Sequence, residues 1–456
     1  MLTFALATTP MATPDLEVRR VTFRHDNTEM VGRVFMPKGV RPGQRLPAVI
    51  VTGAWFTIKE QMPTTYAVEF ARRGYAAMVF DFRGFGESGG RERNTENPMQ
   101  KATDITAAAR FFAREPYVDA TRLSGYAMCA STGAMGYAIN GGAPLRAFAN
   151  SAPWIQDPAT VVAVYGGEDG VRNLTRIGDE AMAHFRATGE IRSVPAAGPQ
   201  GSDAIMQQAP YYTDPKRGMI REWENRFALK SWTYWLKYDS LKPAASLKVP
   251  TLVMHSDNAA LPDMARRFYA EINAPKAIWW GTESQMDYYD DPWAVNRNVG
   301  QAIRFFDLHL GSGRNNTERH IEETVLQMVN GVDAKAWGGV RAFFAPTLNV
   351  DYSSMGGAKG TVQRDDLLRD WETFHAKFRN LRHTYTDFST VINGDDATTW
   401  YRGTATLTHG TADQPVHWTV NGNYTSTLRR SNGRWIITGT KFEAREVLGT
   451  PPPASE

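Results

Sequence analysis

The sequence predicts two units of different class: an α/β domain built on a doubly wound parallel sheet, followed by a smaller α+β domain. Three observations carry this reading. Short apolar runs bounded by Gly and Pro alternate with helical stretches over residues 47–149 and again over 250–310, the rhythm of a parallel α/β sheet. Residues 155–245 break that rhythm, as an inserted helical cap would. Beyond residue 320, helical segments are followed by a run of alternating strands, which marks a separate α+β domain. A chain of 456 residues holds two or three domains, and 42% hydrophobic residues suffice for sizeable cores.

The elements follow in order. Residues 17–40 are β-rich, with Val18, Val21, Phe23, Met30, Val31, Val34 and Phe35 set among polar residues. Pro47–Thr52 (PAVIVT) and Tyr75–Phe80 (YAAMVF) are continuous apolar runs, as buried parallel strands are. Tyr66–Arg73 between them is helical and stops at Gly74. Lys101–Arg114 is a helix, Arg122–Met128 a strand, Ser131–Gly141 a helix and Leu145–Ala149 a strand. After the cap come strand Pro250–His255, helix Asp263–Ile272, strand Ala277–Trp280 and a closing helix Asp291–Leu310. Gly311-Ser312-Gly313 is a linker. The boundaries are 1–315 for the first domain, with the cap at 155–245, 316–450 for the second, and an unstructured tail at 451–456. In the second domain the expected strands are Val391–Ile392, Ala397–His409, Val416–Leu428 and Arg434–Ala444.

Composition excludes several classes. A net charge of +3 without a Lys/Arg block argues against a nucleic-acid partner. No run of about 18 apolar residues is present, so no membrane span is expected. The segment Met1–Pro14 lacks the positive start of a secretory signal. Cys129 is the single cysteine, so no intrachain disulfide forms, and a cytoplasmic location fits. The nine histidines show no paired ligand spacing, so neither a metal nor another cofactor is expected. A small-molecule substrate is the expected partner. Trp and Tyr cluster between residues 211 and 300, which suits an aromatic-walled pocket or an ordinary core.

Chemistry concentrates at residues 122–141. A nucleophile elbow places the reactive residue on a sharp strand-to-helix turn with small neighbours two positions either side. Ala127-Met128-Cys129-Ala130-Ser131 fits with Cys129 at the centre, and Cys129-Ala130-Ser131-Thr132-Gly133 fits with Ser131. The strand that starts at Arg122 ends at Cys129, which favours the first frame. A thiol there faces the start of the next helix, where free N–H groups favour thiolate. The oxyanion hole is expected from the N–H of Ala130 and a loop N–H at Trp55, within Gly53-Ala54-Trp55-Phe56.

The remaining groups depart from a triad. Asp257, after the penultimate strand, is the natural acid, although it serves equally well to open a helix. The loop Gly281–Asp290 has no histidine, and Gln285 stands at the expected place. An amide orients water or substrate but cannot take a proton at neutral pH. His255 sits at a strand end nearby. Ala54, Ser131, Trp154, Asp287 and Tyr288 are the expected substrate contacts. Asp81 and Arg83 are expected to pair locally, and Glu60 to sit at a helix start.

Several stretches coincide with a known branch: Lys59-Glu60-Gln61, FDFRGFGESGG from Phe80 to Gly90, Glu96-Asn97-Pro98, the Cys-Ala-Ser elbow, Ser151-Ala152-Pro153-Trp154 and Gln285-Met286-Asp287-Tyr288-Tyr289-Asp290. Residues 47–300 resemble α/β hydrolases related to dienelactone hydrolase and the peptidase S15-type esterases. The resemblance implies Cys129 as nucleophile, while the histidine of those enzymes has no counterpart here.

The C-terminal part resembles SnoaL-like domains, the cone fold of ketosteroid isomerase and nuclear transport factor 2. It does so through Phe344-Ala345-Pro346, Val350-Asp351-Tyr352, Leu381-Arg382-His383, Gly394-Asp395-Asp396-Ala397 and Gly433-Arg434-Trp435. That resemblance implies an Asp or His inside the cone, with Asp351, His383 and His417 as candidates, or a non-catalytic cone that supports a homodimer. The functional expectation is a hydrolase of esters, lactones or thioesters of a small organic molecule. Alternatives are a lyase, isomerase or cyclase that stabilises an enolate in the same site, and a binding module.

Overall fold

The computed structural model describes residues 16–311 and 316–453. The expectations for Met1–Pro14 and for Ser312-Gly313 lie outside the described residues. Two compact units are present, the first over the described residues to Lys276 and Glu283–Leu310 and the second over the described residues from Gly311 on, with the short segment Ala277–Thr282 grouped with the second.

The first unit is built on an eight-stranded sheet. Its strands are β1 (Leu16–His25), β2 (Thr28–Pro37), β3 (Leu46–Thr52), β4 (Ala76–Phe80), β5 (Val118–Met128), β6 (Ala147–Ser151), β7 (Thr251–Ser256) and β8 (Lys276–Gly281). The spatial order is β1-β2-β4-β3-β5-β6-β7-β8. From β4 through β7 the pairings are parallel, but β1 and β2 pair antiparallel with each other, and β2 pairs antiparallel with β4. The sheet is therefore mixed, where the sequence predicted a parallel one. The β1–β2 hairpin closes through Asp26 and Asn27, both at positive φ (44° and 61°), the two-residue turn that Asp and Asn tolerate. The helices of this layer are α1 (Met62–Arg72), α2 (Pro98–Phe112) and α3 (Ser131–Asn140). Pro63 and Pro98 sit in the first turns of α1 and α2, where no N–H is needed.

The cap contains α4 (Pro158–Val164) and α5 (Gly167–Thr188) and four two-residue strands that form two pairings, against the expectation of helices alone. Asp157 caps α4 by accepting the Thr160 N–H at 2.8 Å. Chain return to the sheet is followed by α6 (Pro262–Glu271) and α7 (Pro292–Leu310).

A buried charge cluster ties the loop after β3 to the loop after β4. The Lys59 ammonium is buried and lies 2.5 Å from Asp81, 2.6 Å from Glu87 and 2.9 Å from Glu60. Asp81 also accepts the N–H groups of Lys59 and Glu87 at 2.8 and 2.9 Å. Asp81 thus pairs with Lys59 and not with Arg83, which binds Asp104 at 2.6 Å and Asp26 at 2.8 Å. The sequence suggested the short-range pair because it could not show that Lys59 folds inward.

The second unit has α8 (Asn316–Asp333), β9 (Phe344–Asp351), β10 (Lys359–Gln363), α9 (Arg364–His375), β11 (Asn380–Asn393), β12 (Asp396–Gly410), β13 (Pro415–Ser431) and β14 (Arg434–Gly449). The sheet order is β10-β9-β14-β13-β12-β11. Its core packs Ile321, Val325 and Val329 of α8 against Phe344, Leu348 and Ile437 of the sheet. Strands β9 and β10 were not expected. β9 buries only Phe344, Leu348 and Val350 and carries Pro346, while β10 is a short polar edge, so neither has a strand's usual apolar alternation.

Asp81→Ala should destabilise the first unit by about 3–5 kcal/mol, because it strips the principal partner from a buried ammonium. Urea unfolding followed by tryptophan fluorescence checks this; a shift no larger than that of a surface substitution would refute it.

Candidate active site

The elbow forms where β5 stops and α3 starts. Cys129 has φ = +52°, a left-handed conformation costly for a side-chain residue. Three backbone bonds hold it. The Cys129 N–H donates to Ser151 O at 3.2 Å, and its carbonyl accepts from Thr132 N at 3.2 Å and Trp154 N at 3.1 Å. Ala127 and Ser131 on either side are buried and small, as the turn requires.

The thiol is buried, and burial pushes it above its usual range. Four neighbours oppose that shift by favouring the charged sulfur: the Tyr289 hydroxyl, the backbone N–H groups of Ala130 and Trp55, and the Gln285 side chain. The structure thus brings together Cys129, Ala130, Trp55 and Gln285, as the sequence predicted, and adds Tyr289. Ser131 is held by the strand ends. Its Oγ accepts from Thr52 Oγ1 at 2.9 Å and donates to Met128 O at 3.0 Å.

The loop that supplies the Trp55 N–H is tightly fixed. A Cβ at Gly53 would stand 2.4 Å from Thr57 Oγ1, and that hydroxyl donates to Ala54 O at 2.8 Å. Phe56 has φ = +56°, and its carbonyl accepts Trp223 Nε1 from the cap at 2.8 Å. The Trp55 ring lies 4.8 Å from Trp235 and 5.8 Å from Phe227, so the cap's aromatics support the loop.

Gln285 is oriented by its own bonds. Its Oε1 accepts the Ala260 N–H at 3.0 Å, which turns Nε2 toward Ala152 O at 3.0 Å and the Tyr289 hydroxyl at 3.1 Å. It is a pure donor toward the site. Tyr289 is raised well above the usual phenol range, first by burial and then by the neighbouring Cys129. Tyr212 hydrogen-bonds with Tyr289. Tyr165 also feels the charge of Cys129, and its hydroxyl accepts Trp235 Nε1 at 2.6 Å. The groups around the sulfur are therefore neutral hydroxyls, an amide and N–H donors.

Other expected contacts lie elsewhere. Asp257 is exposed and pairs with Arg266 at 2.6 Å, which anchors α6 instead of serving the thiol. His255 is buried and pushed down to about 4, first by burial; its Nε2 lies 3.0 Å from Ala260 O. Asp287 accepts from Ser284 N and Oγ at 2.9 and 2.7 Å, a local turn. Tyr288 is fully buried and its carbonyl accepts the Tyr66 hydroxyl at 2.7 Å; the next residue, Tyr289, faces the thiol. Ala54 is buried within its loop. Trp154 contributes its N–H to the elbow, and its indole donates to Gln156 at 3.0 Å. Tyr289 was legible in principle: it stands four residues after Gln285, the spacing that brings side chains together on a helical turn.

In the second unit, Asp351 points to the surface side. It accepts from Ser353 and pairs with Lys359 at 3.2 Å, and the Ser353 hydroxyl bond above all holds it at about 2. His417 is exposed, 3.0 Å from Thr408 Oγ1. His383 lines a cavity, and its Nδ1 lies 2.6 Å from Asp333. Asp333 and the cavity's other histidine, His375, were not anticipated, since fifty positions of chain separate Asp333 from His383.

Comparison with known proteins agrees with this architecture. Residues 49–278, half of the chain, match the family described as serine aminopeptidase, S33. The chain belongs to this α/β-hydrolase family. Residues 314–441 match the SnoaL-like domain family. The uncharacterized protein PA2218 of Pseudomonas aeruginosa is 27% identical over 65% of this chain and 81% of its own length. Its crystal structure superposes with a TM-score of 0.55, covering 68% of this chain and 98% of that one at 23% identity. The polyketide transferase ATR5 of Stachybotrys chlorohalonatus is 26% identical over 51% of this chain and 79% of its own. The α/β hydrolase GrgF from Penicillium sp. sh18 has a TM-score of 0.56 at 19% identity, over 65% of this chain and all of that one. Among the described residues no helix is long and apolar enough to cross a membrane.

Tyr289→Phe should slow alkylation of Cys129 by iodoacetamide about tenfold at neutral pH, since it removes one hydrogen bond to the charged thiolate. The wild-type rate should climb through and beyond the ordinary thiol range as pH rises, because burial raises the thiol. A rate that levels off below pH ~7 would contradict this.

Proposed function

We propose that the first unit is an acyl-transfer hydrolase with Cys129 as nucleophile, acting on a thioester or similarly activated ester or lactone of a small organic acid. The observation that carries the reading is the convergence of the Ala130 and Trp55 N–H groups on the sulfur of an elbow cysteine. Two backbone donors so placed can hold the oxyanion that forms when Sγ attacks a carbonyl. The name of ATR5, polyketide transferase, is consistent with acyl transfer as the reaction class.

The missing histidine shapes the mechanism. A buried site without a base disfavours separated charge, so the proton moves in a neutral relay. Sγ bonds to the carbonyl carbon while its proton passes to the Tyr289 oxygen. Tyr289 in turn gives its own proton to the departing sulfur or oxygen, whose bond to carbon breaks. Water or an acceptor alcohol then attacks the thioester, and its proton returns through Tyr289 to Sγ. Gln285 fixes the Tyr289 oxygen by its 3.1 Å bond. Such a relay serves best when the leaving group is itself a thiolate or enolate, which needs little protonation. The cysteine nucleophile also fits the dienelactone-hydrolase branch. A second reading, enolate stabilisation in the same site without an acyl-enzyme, is favoured by Gln285 standing where a base is expected.

Intact mass spectrometry after mixing with N-acetylcysteamine thioesters and 4-nitrophenyl esters tests the first reading. A single acyl adduct should form and vanish in Cys129→Ala. Tyr289→Phe should lower kcat about a hundredfold with little change in KM. Turnover that survives Cys129→Ala without any adduct would transfer the assignment to the second reading.

A further inference from the structure

Cys129 and Tyr289 come from distant parts of the chain, the first from the turn after β5 and the second from the helical turn Asp287–Asp290. A proton relay between them needs sulfur and phenol oxygen to stay within hydrogen-bond reach, and a displacement of about 1 Å can cost roughly a hundredfold in rate. A single helical turn is too short to hold itself, so the position of Tyr289 has to be fixed from outside its own element.

Tyr66 of α1 supplies that support. Its side chain is fully buried, and its hydroxyl donates to the Tyr288 carbonyl at 2.7 Å. The helical partner of that carbonyl would be the N–H of residue 292, which is a proline and has none. The same carbonyl shares one planar peptide unit with the Tyr289 N–H, so the bond fixes the plane from which the Tyr289 side chain departs. Asn298 of α7 donates to the Tyr66 oxygen at 3.3 Å, which leaves the phenol hydrogen for Tyr288. On the other side, the Tyr66 ring lies 5.0 Å from that of Tyr126 on β5, the strand that ends at the elbow. The Ser151 hydroxyl also lies beside Tyr66, and the Ser151 carbonyl accepts the Cys129 N–H at 3.2 Å. One phenol thus stands between the residue that anchors the elbow and the turn that carries Tyr289.

We infer that Tyr66 is a positioning residue for the reaction at Cys129, its hydroxyl holding the Tyr288–Tyr289 peptide so that the Tyr289 phenol stays on the sulfur. This rests on the reading of Tyr289 as the proton relay. A phenol that merely satisfied a buried carbonyl would change stability and leave the rate constants alone. A positioning phenol acts through Tyr289, and its effect disappears when the Tyr289 hydroxyl is gone.

A double-mutant cycle on the full chain tests this, with kcat on an N-acetylcysteamine thioester and the rate of Cys129 alkylation by iodoacetamide as two readouts. Tyr66→Phe should lower kcat about tenfold at unchanged KM and slow alkylation about threefold. In the Tyr289→Phe background the same change should add nothing, so the double variant matches Tyr289→Phe alone. Should Tyr66→Phe lose its near-ultraviolet circular dichroism, Asn298→Ala, which removes the donor behind the Tyr66 oxygen, decides by the same cycle. Unchanged kcat and alkylation in folded Tyr66→Phe, or losses that multiply in the double variant, would overturn the inference and leave the reading of Tyr289 standing. Tyr289→Phe without effect on either readout would overturn both.

Discussion

The first unit depends on one backbone constraint, the left-handed turn at Cys129. A strand runs directly into a helix there with no loop to absorb the change of direction. Three bonds from three different segments hold the turn: Ser151 at the end of β6, Trp154 beyond it, and Thr132 in the first turn of α3. Because β6 and the Pro153 bend supply two of these, the thiol is positioned by the sheet and not by its own helix. That explains why the flanking positions are small and buried, and why the sulfur sits at the end of the central strands, where open α/β sheets place their sites.

Around that sulfur the chemistry is one-sided. Every hydrogen-bonding neighbour identified donates: two amides of the backbone, one side-chain amide and one phenol. Such surroundings welcome a developing anion and hold no strong base to take a proton away. A histidine would have allowed charge to separate in a dry pocket; Gln285, locked by Ala260, does not.

Much of this was legible in the chain. Apolar runs at 47–52, 75–80 and 250–255 located the buried strands because parallel strands covered on both faces leave no polar alternation. The elbow turn, the Ala130 and Trp55 amides beside its sulfur and Gln285 followed from spacing. Asp257 did not join them, because a carboxylate after a strand can equally bind the following helix, and here Arg266 takes it. Tyr288 and Tyr289 could not be told apart without knowing which way the short helical turn faces. The Asp333–His383 pair was out of reach, since it joins a helix end to a strand that only the tertiary fold brings together.

The Lys59 cluster has a consequence for how this chain can vary. A single buried ammonium holds carboxylates from two loops, one of which carries the Trp55 amide. Loss of charge at position 59 would strand several acids, and loss of Asp81 would take from the ammonium its buried partner and leave it only Glu60 and Glu87. Positions 59 and 81 can therefore drift only as a pair, through an intermediate worse than either end. That ruggedness locks the loop that carries Trp55 in place over divergence, while the exposed acids nearby remain free to change.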